Sequence, residues 1–114
     1  MKHTLLGVIF ATALAMPAFA EDYMIMAPAA PGGGWDGTGR LAFDVMQKSG
    51  VFTKGATFTN KGGAAGTVGL ADCVKDKGHD NAVMIMGVVM VGGIIANKSR
   101  VNLDMTTPIA RLTF

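Results

Sequence analysis

The chain has 114 residues, half of them apolar and 16 of them glycine, with a formal net charge of +2. That length holds one small domain, and the composition excludes a disordered chain. No basic block exceeds two residues, so the clustered Lys and Arg that nucleic-acid binding needs are missing.

Residues 1–20 read as a cleavable export signal. Met1-Lys2-His3 is a short basic start, "LLGVIFATALAM" is an apolar run, and Ala18-Phe19-Ala20 has the small-x-small cleavage pattern. The alternative, a membrane anchor, is disfavoured because the run is shorter than the ~20 residues a spanning helix needs. No cysteine stands at the cleavage point, which disfavours a lipoprotein. The expected location is the periplasm, with Glu21 opening the mature chain.

"YMIMAP", Tyr23 to Pro28, is an apolar run ended by proline and predicts a first, buried strand. Asp36 is placed to cap a following helix. In that helix Leu41, Ala42, Val45 and Met46 share one face, and Arg40, Asp44, Gln47 and Lys48 share the other. Gly50 lies just past its end, where a left-handed residue is often needed. "GATFTNK" predicts a second strand. "KGGAAGTVGLADCVKDKG" predicts a glycine-rich turn and a second helix, with Thr67 as its N-cap and Gly78 closing it. "NAVMIMG" predicts a third strand, "VVMVGGIIANKS" a third helix weakened by Gly92 and Gly93, and "PIARLTF" a fourth strand.

The resulting order, βαβαβαβ, implies an α/β fold with parallel strands and right-handed crossovers. Near-continuous apolar strands suit a sheet covered on both faces. The apolar run Ala82–Ala96 is too short to span a bilayer. The methionines read as core filling. His79 is the only histidine after the export signal, so a zinc site has no support, and no cofactor or metal is expected. Cys73 is the only cysteine. It reads as a small core residue beside Leu70, Ala71 and Val74, with intermolecular pairing as the alternative.

Ligands of an open parallel sheet bind outside the carboxyl ends of its strands. Two glycine-rich turns fall there: "PGGGWD", with Gly32, Gly33, Gly34, Trp35 and Asp36, and "KGGAAGT", with Gly63, Ala64, Ala65, Gly66 and Thr67. Each enters a helix N-terminus, where unpaired N–H groups and the helix dipole favour an anion. Together they would form a nest of donors for a carboxylate or phosphate, and tight packing is the competing reading of each. Trp35 is either a packing residue or a wall of the site. Asp36 reads as a helix cap in preference to a ligand contact, and Arg40 as part of a solvated face. Gly32, Gly34 and Gly37 fit G-x-G-x-x-G, but Asn60 and Lys61 stand where a dinucleotide site wants an acid. No pairing of a nucleophile with a base is visible, and the chain is not expected to be an enzyme.

These blocks, with "VMIMGVVMVGGIIANKS" and "TTPIARLTF", resemble the tripartite tricarboxylate transporter receptors, the TctC-like or Bug family of periplasmic solute-binding proteins. The resemblance runs across the whole mature chain in order and spacing. It implies a type II periplasmic binding protein-like fold. It also implies capture of a di- or tricarboxylate such as citrate between two lobes, and delivery to membrane permease subunits. The loops Gly32–Asp36 and Gly63–Thr67 would face the ligand, with Gly87 and Val88 as weaker candidates, since "GVVMVGG" lacks the hydroxyl residue that members often carry there. Such receptors run to about 300 residues, in line with two domains. Residues 21–114 are therefore expected to form the opening half of the first lobe, without the second. A sheet edge and helix faces left uncovered would favour association. The alternatives are the opening half of a nucleotide- or phosphate-binding α/β enzyme and a periplasmic sensory or interaction domain.

Overall fold

A computed structural model describes residues 22–76 and 78–112. The expected export signal, Glu21, Lys77 and the last two residues of the expected fourth strand lie outside the described residues. The elements are β1 (Tyr23–Ala27), α1 (Gly34–Lys48), β2 (Ala56–Asn60), α2 (Thr67–Lys75), β3 (Ala82–Met84) and α3 (Val88–Ala96), with short 3-10 turns at Ala64–Gly66 and Leu103–Met105. The fold is α/β. The three strands are parallel in the order β2-β1-β3. Tyr23 pairs with Ala56 and Ala27 with Asn60 on one side, and Met24 pairs with Ala82 on the other. No helix among the described residues is long and apolar enough to cross a membrane.

β1 lies in the middle and pairs along both edges, with Ile25 and Ala27 buried. One face meets α1. There Phe43 packs edge-on to Phe58, with ring centres 5.9 Å apart, and Tyr23 stacks on Phe52 at 4.4 Å. Pairs of this kind add about 0.5–1.5 kcal/mol beyond the area they bury. α2 sits on the other face, which carries Met24 and Met26. It leaves an open groove of about 380 Å³ lined by those methionines, Thr59, Asp72 and Cys73. Leu70 and Met90 are fully buried and anchor α2 and α3. Burial of a side chain of this size contributes about 1.5–3 kcal/mol.

The buried face of α1 differs from the one its apolar residues mark. Asp36, Gly39 and Phe43 are buried, whereas Leu41 is 65% and Val45 56% exposed. The cause is Gly39: a Cβ there would stand 2.8 Å from Ile85 Cγ1, so the helix touches the sheet with bare backbone. The contact line then runs through Gly39. Leu41 and Val45 are left outside with Thr38, Ala42, Met46 and Leu112, around a surface groove of about 430 Å³. The end of α1 is as expected. Gly50 takes φ +75°, and the N–H groups of Gly50 and Val51 return to the carbonyls of Gln47 and Met46 in a Schellman arrangement.

The expected fourth strand is absent from the described part of its segment: residues 108–112 pair with no strand. Pro108 lacks an N–H, and a strand needs a partner edge and a face to bury. Ile109 is instead 78% exposed, and Leu112, 55% exposed, lines the groove on the outer side of α1. β3 is only three residues long, though Ile85 N–H extends its ladder by bonding Met26 O at 2.9 Å. α3 is continuous through Gly92 and Gly93. α2 ends at Lys75, and Gly78 takes φ +95° in the turn beyond it.

Candidate functional site

Parallel strands place the loops that follow β1, β2 and β3 at one edge of the sheet, and each leads into a helix. The caps of α1, α2 and α3 are Gly33, Gly66 and Gly87, none with a side-chain cap bond. The first N–H groups of each helix have no partner within the helix. Gly32, Gly34 and residues 62–65 are exposed. The result is a rim of exposed, glycine-rich backbone at the starts of the helices.

Trp35 joins the three loops. A Cβ on Gly66 would stand 2.8 Å from Trp35 Cζ3, and one on Gly87 would stand 2.8 Å from Trp35 Nε1. The indole therefore lies directly against two of the three caps while belonging to the helix of the third. It packs the loops together and remains half-exposed at their meeting point. Trp35 is thus a packing residue at the junction of the loops.

Asp36 and Thr67 do not cap as expected. Both helices begin earlier than a side-chain cap would allow, because glycine caps them. Asp36 is the third residue of α1, and its carboxylate reaches back to the Gly32 N–H at 2.8 Å. The bond reaches one residue beyond the Gly33 cap, whose own N–H goes to Ala30 O at 3.0 Å, so it ties down the loop and does not cap the helix. The same carboxylate accepts from Arg40 Nε at 3.0 Å and Asn60 Nδ2 at 3.0 Å. The Arg40 bond, then the Gly32 N–H, then Asn60, hold its pKa down at about 2 against the opposing effect of burial. Asp36 is thus an ionised strut that ties the first loop to α1 and to the end of β2. Its charge is taken up by these partners rather than turned on a ligand. Arg40 is not simply solvated: it pairs with Asp36 and lies over the Phe58 ring at 4.5 Å. Asn60 is a site residue whose role the sequence leaves hidden, since only folding brings it beside Asp36.

Thr67 is the first residue of α2 and sends its hydroxyl backward, donating to Ala64 O at 2.9 Å. The loop it holds is strained. Gly63, Ala64, Ala65 and Gly66 take φ of +127°, +46°, +55° and +92°. Left-handed backbone costs an alanine roughly 1–2 kcal/mol. Two such alanines side by side are held by contacts with the rest of the fold. Successive N–H groups in such a turn form an anion-binding concavity.

The nearby cations are committed. Arg40 pairs with Asp36, and Lys61, at the end of β2, pairs with Asp72, which also takes Lys75 at 3.0 Å. Lys61 and then Lys75 lower the Asp72 pKa. At this rim an anion would meet backbone N–H groups and helix ends in place of free cationic side chains. Cys73 is half-buried in the groove under α2, and burial, then Asp76, raise its thiol pKa. His79 is exposed in the turn after α2. Among the described residues no three His, Cys, Asp or Glu side chains gather as metal ligands. Comparison of the chain with family models, with characterised proteins and with solved structures returns no match.

Proposed function

We propose that the chain is a non-catalytic carboxylate-binding component of a periplasmic solute receptor, serving a tripartite tricarboxylate transporter. The observation that carries this reading is the gathering of three glycine-capped helix N-termini, Gly33, Gly66 and Gly87, around Trp35 at one sheet edge. Donors of this kind suit a carboxylate, which takes several N–H bonds at once and gains from the dipole of each helix. Gly32–Asp36 and Gly63–Thr67 supply the donors and their supports. A di- or tricarboxylate such as citrate fits a rim with more than one donor group. Export through residues 1–20 and hand-over to membrane permease subunits belong to the same proposal.

The dinucleotide reading has less support. Asn60, near the position of a ribose-binding acid, already donates to Asp36. Calorimetric titration with citrate, glutamate and simple dicarboxylates, and in parallel with ATP and NAD, tests the proposal. Saturable binding of a carboxylate is expected. Tight nucleotide binding with no carboxylate binding would reject it.

A further inference from the structure

α3 lies across the strained loop and meets it along one stripe. Met90, Gly93 and Asn97 recur at helical spacing on one side of the helix. A Cβ on Gly66 would stand 2.8 Å from Met90 Cε, and one on Gly93 would stand 2.5 Å from the Ala65 Cβ. Asn97 Nδ2 donates to Ala64 O at 3.1 Å, across 33 residues of sequence. The loop is therefore moulded against α3 from Gly66 back to Ala64.

The carbonyl of Ala64 is the most heavily engaged group in the loop. It accepts from the Thr67 backbone N–H, from Thr67 Oγ1 at 2.9 Å and from Asn97. A trans peptide sets its N–H opposite its C=O. A carbonyl drawn toward α2 and α3 thus turns the N–H of Ala65 the other way. The Gly63 carbonyl, bonded to the Gly66 N–H at 2.8 Å, does the same for the N–H of Ala64.

We infer that Asn97 is a positioning residue: it latches the Ala64 carbonyl so that the Ala64–Ala65 amides point outward as donors at the rim. The function of these donors rests on the carboxylate-binding reading. The latch itself concerns the backbone and is measurable without ligand. Glycine adopts left-handed backbone without the steric penalty of a Cβ, so a loop with glycine at 64 and 65 needs no latch.

The test uses the full chain labelled with nitrogen-15 and carbon-13. HN–Hα couplings and carbon shifts of Ala64 and Ala65 are measured in the parent, in Asn97→Ala, and in the near-isosteric Asn97→Asp, which loses the donor. Citrate affinity is measured in each, and again with Ala64→Gly and Ala65→Gly present. Removal of Asn97 is expected to shift both alanines away from left-handed values. It is also expected to weaken citrate binding about five-fold, the scale of one hydrogen bond. In the glycine background the same change should weaken binding by less than about two-fold. Unchanged couplings at Ala64 and Ala65 would overturn the latch, as would a full five-fold loss in the glycine background. If the parent does not bind citrate, the carboxylate reading falls, and the couplings alone decide the latch. If Asn97→Ala does not fold, Asn97→Asp supplies the comparison.

Discussion

Gly92 and Gly93 are neighbours in α3, yet the same substitution should act on them with opposite sign. In a helix interior, replacing glycine by alanine stabilises by about 0.8–1.0 kcal/mol, because alanine has less backbone entropy to lose. A Cβ on Gly92 meets nothing within 4 Å, so Gly92→Ala should realise most of that gain. A Cβ on Gly93 would stand 2.5 Å from the Ala65 Cβ, 3.2 Å from Ala64 O and 3.3 Å from Ala65 O. None of these is the flexible end of a long side chain, so α3 must move off the loop. Overpacking of this kind costs about 1–3 kcal/mol and offsets or exceeds the helix gain. The two variants should differ by roughly 1–3 kcal/mol, with Gly92→Ala the more stable. For a domain of this size 1 kcal/mol shifts Tm by about 4–8 °C. Urea titrations followed by circular dichroism, with thermal melts, would measure the difference. Equal stabilisation by both substitutions would refute the contact between α3 and the loop, and with it the basis for the latch.

Asp36 makes the fold acid-sensitive in a defined window. Its folded pKa, about 2, lies below the ~3.9 of an unfolded aspartate, so its contribution is present above that unfolded value. The contribution is lost as pH falls from near 4 through about 2. Asp36→Asn should lower stability at neutral pH and flatten the acid limb over that range, read from Trp35 fluorescence. An unchanged acid limb would rule out the strut. Leu70→Ala removes a fully buried side chain between α2 and the sheet. It should cost about 2–5 kcal/mol in urea unfolding, and a loss under 1 kcal/mol would show that α2 is not anchored there.

Much of the element order was legible because it depends on local pattern. Proline after an apolar run ends β1, and Gly50 closes α1 through a left-handed residue that alanine would strain. The two glycine turns were visible as bare backbone leading into helices because clustered glycine interrupts both the strand and the helix pattern. Three features were not legible. The buried face of α1 was misassigned because its closest approach to the sheet is made by Gly39, which has no side chain for a pattern to register. Asp36 and Thr67 suit a cap by residue type, whereas the chain starts each helix on glycine and turns those side chains backward. The terminal segment looks like a strand, but pairing is a property of two segments, and Leu112 instead lines the open groove beside α1.

By itself, the sequence determined the alternation of strands and helices, the parallel class of the sheet, and the placing of bare backbone after strands one and two. These follow from periodicity, turn chemistry and the geometry of crossovers, which act over a few residues at a time. Only the tertiary structure decided that Trp35 joins three loops, that Asn60 reaches Asp36, and that α3 packs against the left-handed turn at Ala64 and Ala65. The contacts of Asn60 with Asp36 and of Asn97 with Ala64 join residues far apart in sequence, and their distances are set by how closely the helices settle onto the sheet.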